Sequence, residues 1–143
     1  FSLDKKPHSN VVGRKADLST LVFDSDDVYK GEPLILHFFS SWCSTCHKDH
    51  IKIEELKKKH NLKIVGVYWQ DSAEKIKQWV VENPGIYDNI AHDPTDRIIV
   101  SLGVVGVPET FIINRDKTII YNEKGDISEE EFLNALSIEL AKQ

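Results

Sequence analysis

The hydrophobic and polar positions of the chain alternate between short apolar runs and longer segments with a helical period. Residues 34–39, Leu-Ile-Leu-His-Phe-Phe, form an apolar run broken by one histidine, which is typical of a strand buried on both faces. Shorter apolar or alternating segments predict further strands at 62–69, 86–91, 110–113 and 118–121, and an edge strand or hairpin within 10–30.

Segments with helical periodicity separate these strands. Apolar residues three or four positions apart, together with capping and terminating residues, predict helices at 43–60, 73–81, 93–102 and from 128 onward. Pro94 is expected in the first turn of the third helix, and Val81 and Leu140 are expected to face the core. Alternating strands and helices predict an α/β fold with a mixed central β-sheet flanked by helices.

The composition fits a folded domain, with 143 residues, of which 41% are hydrophobic and 29% charged. We expect a polar tail at 1–10 and one domain at 11–143, as a monomer. The net charge of −5 argues against nucleic-acid binding, and no apolar run is long enough to span a bilayer. Because the chain starts at Phe1 and contains no Met, we expect a processed or trimmed form, and a preceding signal or membrane anchor stays open.

Two cysteines, Cys43 and Cys46, lie three positions apart between the buried strand and the first helix. Two cysteines are too few to form the disulfide framework of a chain this long, so a chemical role is favoured. At a helix N-terminus, free backbone N–H groups and the helix dipole stabilise a thiolate. We therefore predict that Cys43 is the exposed nucleophile and that Cys46, one turn further on, resolves the mixed disulfide.

The segments around these cysteines resemble those of a known superfamily. Residues 40–46, Ser-Ser-Trp-Cys-Ser-Thr-Cys, resemble a thioredoxin active site, and Gly106-Val107-Pro108 resembles the cis-proline loop of that superfamily. Residues 103–111 are similar to the equivalent loop of the periplasmic DsbE (CcmG) type, which acts in cytochrome c maturation. Residues 65–102 resemble the additional βα unit of that family and of its TlpA and ResA relatives. The resemblance extends from Val11 to the C-terminus.

This resemblance implies a thioredoxin-like fold and a thiol–disulfide oxidoreductase that reduces exported proteins during cytochrome c or oxidase maturation. It implies a periplasmic protein, membrane-anchored through a segment missing from this chain, with protein thiols or disulfides as substrates and a membrane electron donor or acceptor as partner. No cofactor is expected beyond the redox-active disulfide. Pro108 and Val107 would hold the substrate backbone, and Trp42 would lie at the substrate-facing rim.

Two positions depart from the family pattern and leave the redox direction open. His37 occupies the position of a buried Asp in thioredoxins, where the DsbE type commonly has Asn, and Ser44-Thr45 lacks the usual proline. His37 is either a core histidine with satisfied hydrogen bonds or a proton relay for Cys46. Glu109 is either an exposed charge at the start of a strand or a charge beside the dithiol that tunes the thiols.

Several alternatives compete with this interpretation. One alternative is that the cysteines are inert, and a second is that Cys43 to His47 attach a haem, because this segment has the sequence CXXCH. A third is a zinc site formed by the cysteines with His47 and His50, although we expect no metal and expect both histidines to be solvated. The remaining alternatives are a disulfide oxidase or isomerase of exported proteins, and a copper chaperone for oxidase assembly, since thiolates bind Cu(I).

Overall fold

The computed structural model describes residues 11–25 and 33–141, so the expected tail at 1–10 lies outside the described residues. The strands are β1 (Val22–Phe23), β2 (Leu34–Phe39), β3 (Ile64–Tyr68), β4 (Asn89–His92), β5 (Glu109–Ile113) and β6 (Ile119–Lys124). The helices are α1 (Cys46–His60), α2 (Ala73–Glu82), α3 (Arg97–Leu102) and α4 (Glu129–Ala141). Within the described ranges, no helix is long and apolar enough to cross a bilayer.

The strands form one mixed six-stranded sheet in the order β1-β4-β3-β2-β5-β6. Strand β2 is parallel to β3, which is parallel to β4, whereas β5 is antiparallel to β2 and β6 is antiparallel to β5. Every residue of β2 is buried, as expected for a central strand covered on both faces. The predicted α/β, thioredoxin-like architecture with a mixed sheet is therefore confirmed. The segment predicted to hold the additional βα unit contains α2, β4 and α3.

Side chains of β2 alternate between the two faces of the sheet. Leu34, Leu36 and Phe38 belong to a core on one face. Ile35 packs into a second core with residues of α1 and α4. His37, two positions after Ile35, shares this second face, so its imidazole is directed towards the layer of helices that begins at the cysteines.

Some of the predicted boundaries and orientations are wrong. Strand β4 starts at Asn89 rather than at 86, and α3 starts at Arg97, after Pro94. The side chain of Asp93 accepts hydrogen bonds from the backbone N–H groups of Thr95 and Ile98, which fixes a turn where a helix was predicted.

The expectation that Val81 and Leu140 face the core is also wrong. Val81 is 78% exposed, because α2 buries the face of Ile76, and five residues of helix turn Val81 away from it. Leu140 is 49% exposed. Helix α4 buries positions 132, 136 and 139, and the next residue falls off that face.

Gly66 of β3 provides the space in which the Tyr87 ring lies. A Cβ atom at position 66 would lie 2.5 and 2.7 Å from atoms of this ring. Because these ring atoms are closer than van der Waals contact allows, we expect Gly66→Ala to lower the free energy of unfolding by about 1–3 kcal/mol, the usual cost of overpacking. Urea denaturation measures this change. Gly106→Ala is the matched control, since its Cβ would meet no atom within 4 Å; equal stability of the two variants would contradict the prediction.

Candidate active site

Cys43 and Cys46 form a disulfide at the start of α1, with their Cα atoms 5.4 Å apart. Cys43 precedes the helix and is partly exposed, whereas Cys46 is its first residue and is fully buried. The Cys43 sulfur accepts a hydrogen bond from the backbone N–H of Cys46, at 3.1 Å. A donor in this position favours negative charge on that sulfur after reduction. The geometry therefore supports Cys43 as the nucleophile and Cys46 as the shielded partner.

The proline loop predicted to lie beside the dithiol does so. The Val107–Pro108 peptide bond is cis. The carbonyl oxygen of Val107 lies 3.8 Å from the Cys43 sulfur. Strand β5 follows immediately and pairs with β2, whose C-terminal end leads to the cysteines. Two segments distant in sequence thus meet at the same edge of the sheet.

Trp42, which directly precedes Cys43, is 59% exposed. Its indole N–H donates to the carbonyl oxygen of Gln70, at 2.8 Å. The backbone N–H and the hydroxyl of Ser41 both donate to the Asp71 carboxylate, each at 2.6 Å. Ser72, and not Asp71, caps the N-terminus of α2. Asp71 instead anchors the segment that precedes Cys43.

His37 is fully buried and is hydrogen-bonded at both ring nitrogens. Its Nε2 lies 3.2 Å from Oδ2 of Asp49, and its Nδ1 lies 2.7 Å from the hydroxyl of Tyr87. The other carboxylate oxygen of Asp49 accepts the backbone N–H of Ile127, at 3.0 Å. His37 is therefore a core histidine with satisfied hydrogen bonds, and it is also part of a buried polar network with Asp49 of α1 and Tyr87.

His50 is the fourth member of this network, and its predicted solvation is wrong. Its side chain is buried, and its Nε2 lies 3.0 Å from the Tyr87 hydroxyl. Burial lowers the pKa of the His50 imidazole to about 4, and the neighbouring His37 acts in the same direction. The buried face of α1 contains positions 46, 49, 50, 53 and 56. The helical period of Ile53 and Leu56, extended towards the N-terminus, predicts that His50 is buried. His47 is exposed, as expected.

Comparison with known proteins is consistent with this geometry. The model of the Redoxin family matches residues 9–137. The chain belongs to the Redoxin family. It is 34% identical over 110 residues to the thiol:disulfide interchange protein DsbE of Vibrio cholerae, covering 77% of this chain and 59% of that protein. It is 31% identical over 112 residues to CycY, a thiol:disulfide interchange protein of Rhizobium leguminosarum, covering 78% and 59%. The chain thus spans about three-fifths of the length of these curated relatives.

A solved structure shows the same fold. The exposed lipoprotein thioredoxin of Streptococcus pneumoniae superposes with a TM-score of 0.63 at 22% identity, covering 77% of this chain and 87% of that structure. The resemblance in the sequence to a thioredoxin superfamily protein of the DsbE type is confirmed by the family match and by these relatives.

In this Redoxin family member, Glu109 is buried, so the alternative of an exposed charge is wrong. Its carboxylate accepts a hydrogen bond from the side chain of Asn122, at 2.9 Å, and lies 3.7 Å from the Lys124 ammonium. Burial raises the pKa of the Glu109 carboxyl, and the contacts with Asn122 and Lys124 act in the opposite direction. Glu109 directly follows Pro108, so its charge is buried next to the loop that contacts Cys43.

Proposed function

We propose that the chain exchanges thiols and disulfides with exported polypeptides through Cys43 and Cys46. The observation that carries this proposal is the disulfide at the start of α1, with the Val107 carbonyl 3.8 Å from the Cys43 sulfur. In the reduced protein, the Cys43 thiolate attacks a substrate disulfide and forms a mixed disulfide. The Val107–Pro108 segment holds the substrate backbone, and Trp42 contacts the substrate at the rim. Cys46 then attacks Cys43 and releases the reduced substrate.

The proposed role is that of a reductant in cytochrome c or oxidase maturation. Support comes from the loop at 103–111 and from relatives that are named thiol:disulfide interchange proteins. The protein would act in the periplasm as a monomer, anchored through a segment before Phe1, and a membrane electron donor would reduce it again. The Cys43–Cys46 pair would be its only redox group. His37, whose two ring nitrogens are hydrogen-bonded to Asp49 and Tyr87, would support the deprotonation of Cys46 only indirectly, by positioning its neighbours.

The reduction potential of the Cys43–Cys46 couple tests this role. Equilibration in glutathione buffers, followed by alkylation and mass spectrometry, gives the fraction reduced at each ratio. We expect a value near −270 mV, roughly that of thioredoxin, because a reductant must have a lower potential than its substrates. A value near −120 mV, roughly that of DsbA, would indicate a disulfide donor and would exclude the proposed direction while leaving the exchange chemistry intact.

Glu109 is proposed to tune the thiol of Cys43. A carboxylate buried beside the Pro108 loop disfavours a second negative charge nearby, so Glu109→Gln is expected to lower the pKa of the Cys43 thiol. The pH dependence of alkylation of the reduced protein by iodoacetamide measures this pKa. Glu74→Gln, an exposed change at the start of α2, is the control. An unchanged alkylation profile in Glu109→Gln would remove Glu109 from the dithiol site.

The same variant has a predicted signature in the pH dependence of stability. Because the pKa of Glu109 is raised in the folded chain, the folded state retains this proton to higher pH than the unfolded state does. Stability therefore falls as pH rises above the unfolded value of about 4.3, and this component is expected to be absent from Glu109→Gln. Urea denaturation between pH 4 and pH 7 compares the two proteins.

A further inference from the structure

The hydrogen bonds of the buried network form one consistent chain when the imidazole of His37 is neutral, and the direction of each bond then follows from its connectivity. The Asp49 carboxylate only accepts, so the Nε2 of His37 carries the hydrogen that lies between them. In a neutral imidazole the other nitrogen is then an acceptor, and the Tyr87 hydroxyl donates to Nδ1 of His37. A hydroxyl has one hydrogen. In this arrangement the Tyr87 oxygen accepts the hydrogen bond from Nε2 of His50.

This order places the hydrogen of the His50 imidazole on Nε2. With the hydrogen on Nε2, the lone pair of a neutral imidazole is on Nδ1. Among the described residues, Nδ1 of His50 has no hydrogen-bond partner, since the bond to Tyr87 is made by Nε2. The lowered pKa of His50 keeps the ring neutral at pH 7. In this arrangement the network presents an unprotonated nitrogen on the side chain of His50, one helical turn after Cys46 in α1.

His50 lies one helical turn after Cys46 on the same buried face of α1. Helical side chains lean towards the N-terminus, so the imidazole leans towards the turn that contains Cys46. The His50 ring packs against Phe39 and Trp79, with centroid distances of 6.0 and 4.9 Å. Phe39 and Trp79 also belong to the cluster that encloses Cys46. The Cys46 side chain and the His50 imidazole are therefore next to the same aromatic cluster.

We propose that Nδ1 of His50 accepts the proton of the Cys46 thiol, directly or through one water, when Cys46 resolves the mixed disulfide. In this step the S–H bond of Cys46 breaks and its proton passes to His50. The Cys46 sulfur bonds to the Cys43 sulfur, and the bond between Cys43 and the substrate breaks, with its electron pair leaving on the substrate thiolate. Tyr87, His37 and Asp49 are positioning residues that hold the tautomer. This inference rests on the proposed disulfide exchange.

A base is needed here because a thiolate at Cys46 would be formed away from water. Burial disfavours the charged form of a thiol, so a fully buried cysteine is a poor nucleophile without a proton acceptor. The titratable groups that act on His50 are His37 from β2, His47 and Asp49 from α1, and Tyr87 from the segment before β4. Of these, Asp49 favours the protonated imidazole, and the two histidines oppose it.

The test separates the two chemical steps by single-turnover stopped flow. The reduced protein is mixed with excess of an aromatic disulfide whose thiol product absorbs visible light. Attack by Cys43 releases one equivalent of the coloured thiol, and attack by Cys46 releases the second. His50→Gln is expected to leave the first phase within about 2-fold of wild type and to slow the second by roughly 10²–10⁴-fold, the usual contribution of a general base.

The pH profile distinguishes a base from a merely structural residue. With a neutral His50 present, the second phase is expected to be flat between pH 6 and pH 8. In His50→Gln it is expected to rise about tenfold per pH unit, since it then depends on the fraction of Cys46 thiolate. His47→Gln, on the exposed side of the same helix, is expected to change neither phase.

Five outcomes would contradict the role of His50, its tautomer or the proposed function. A second phase that is unchanged in His50→Gln, or slowed equally at every pH, overturns the role of His50. A His37→Asn variant that slows the second phase more than His50→Gln overturns it as well, because His37 would then be the acceptor. Nitrogen-15 NMR of the wild-type protein tests the tautomer without any mutation, and a hydrogen on Nδ1 of His50 would refute it. Absence of both phases in the wild type would instead refute the proposed function.

Discussion

Cys43→Ser is expected to abolish disulfide exchange, whereas Cys46→Ser is expected to leave the first attack intact and to accumulate a mixed disulfide. Cys43 is the partly exposed sulfur, and it accepts the backbone N–H at the start of α1. Serine at that position has no thiolate, so the covalent route is lost, with a fall in rate on the order of 10³-fold or more. Insulin reduction measures turnover, and mass spectrometry after mixing with a disulfide peptide detects the adduct.

The two variants serve as controls for each other, because each removes one sulfur and leaves the other unpaired. A peptide adduct on Cys46 in the Cys43→Ser variant would reverse the assigned roles. That result is not expected, since Cys46 is fully buried and a substrate sulfur cannot reach it without an opening of α1. The order of reaction is thus determined by access as well as by thiolate stability.

The parts of the fold that were correct from sequence are those with a strong local signal. The six-residue apolar run at 34–39 appears as the fully buried central strand β2. The prediction that a helix begins at 93 is wrong because the local sequence, Asp93-Pro94 followed by an apolar stretch, is also compatible with a turn. Tertiary contacts favour the turn. The Asp93 carboxylate accepts a hydrogen bond from the hydroxyl of Thr20, 73 residues away, as well as from the backbone N–H of Thr95 in the turn itself. A contact between residues this far apart cannot be predicted from the residues that surround Asp93 in the sequence.

The candidate site likewise contains parts with a local sequence signal and parts without one. The dithiol and the Pro108 loop were found because each is a short contiguous motif, although their proximity came from the resemblance. The polar network was missed apart from His37. It joins His37 to Tyr87 across 50 residues and Asp49 to Ile127 across 78. Only the sheet register and the packing of α1 bring these groups together, so no spacing rule predicts them; His50 alone had a periodic signal, its place on the buried face of α1.

Asp49→Leu is expected to have the largest effect on stability. The carboxylate is fully buried and accepts two hydrogen bonds, from the backbone N–H of Ile127 and from the imidazole of His37. Leucine fills a similar volume and leaves both donors unsatisfied. Each orphaned donor costs about 1–3 kcal/mol, so the free energy of unfolding should fall by roughly 2–6 kcal/mol in the oxidised protein. Urea denaturation followed by circular dichroism measures it.

Asp49→Asn is the matched control, since its amide is of the same size and keeps one oxygen acceptor. Its free energy of unfolding is expected to fall by about half as much as that of Asp49→Leu. The remaining oxygen still accepts from one donor, whereas the NH₂ group cannot accept from the other. The double variant Asp49→Leu with His37→Leu should lose less free energy of unfolding than the sum of the two single variants, by about 0.5–3 kcal/mol. The reason is that the imidazole donor left unsatisfied by Asp49→Leu is absent when His37 is also replaced. Full additivity would mean that Asp49 stabilises the fold through Ile127 alone. The contact between His37 and Asp49 would then contribute nothing to the free energy of unfolding. Its role in holding the His50 tautomer would be measured instead by the rate at which Cys46 resolves the mixed disulfide.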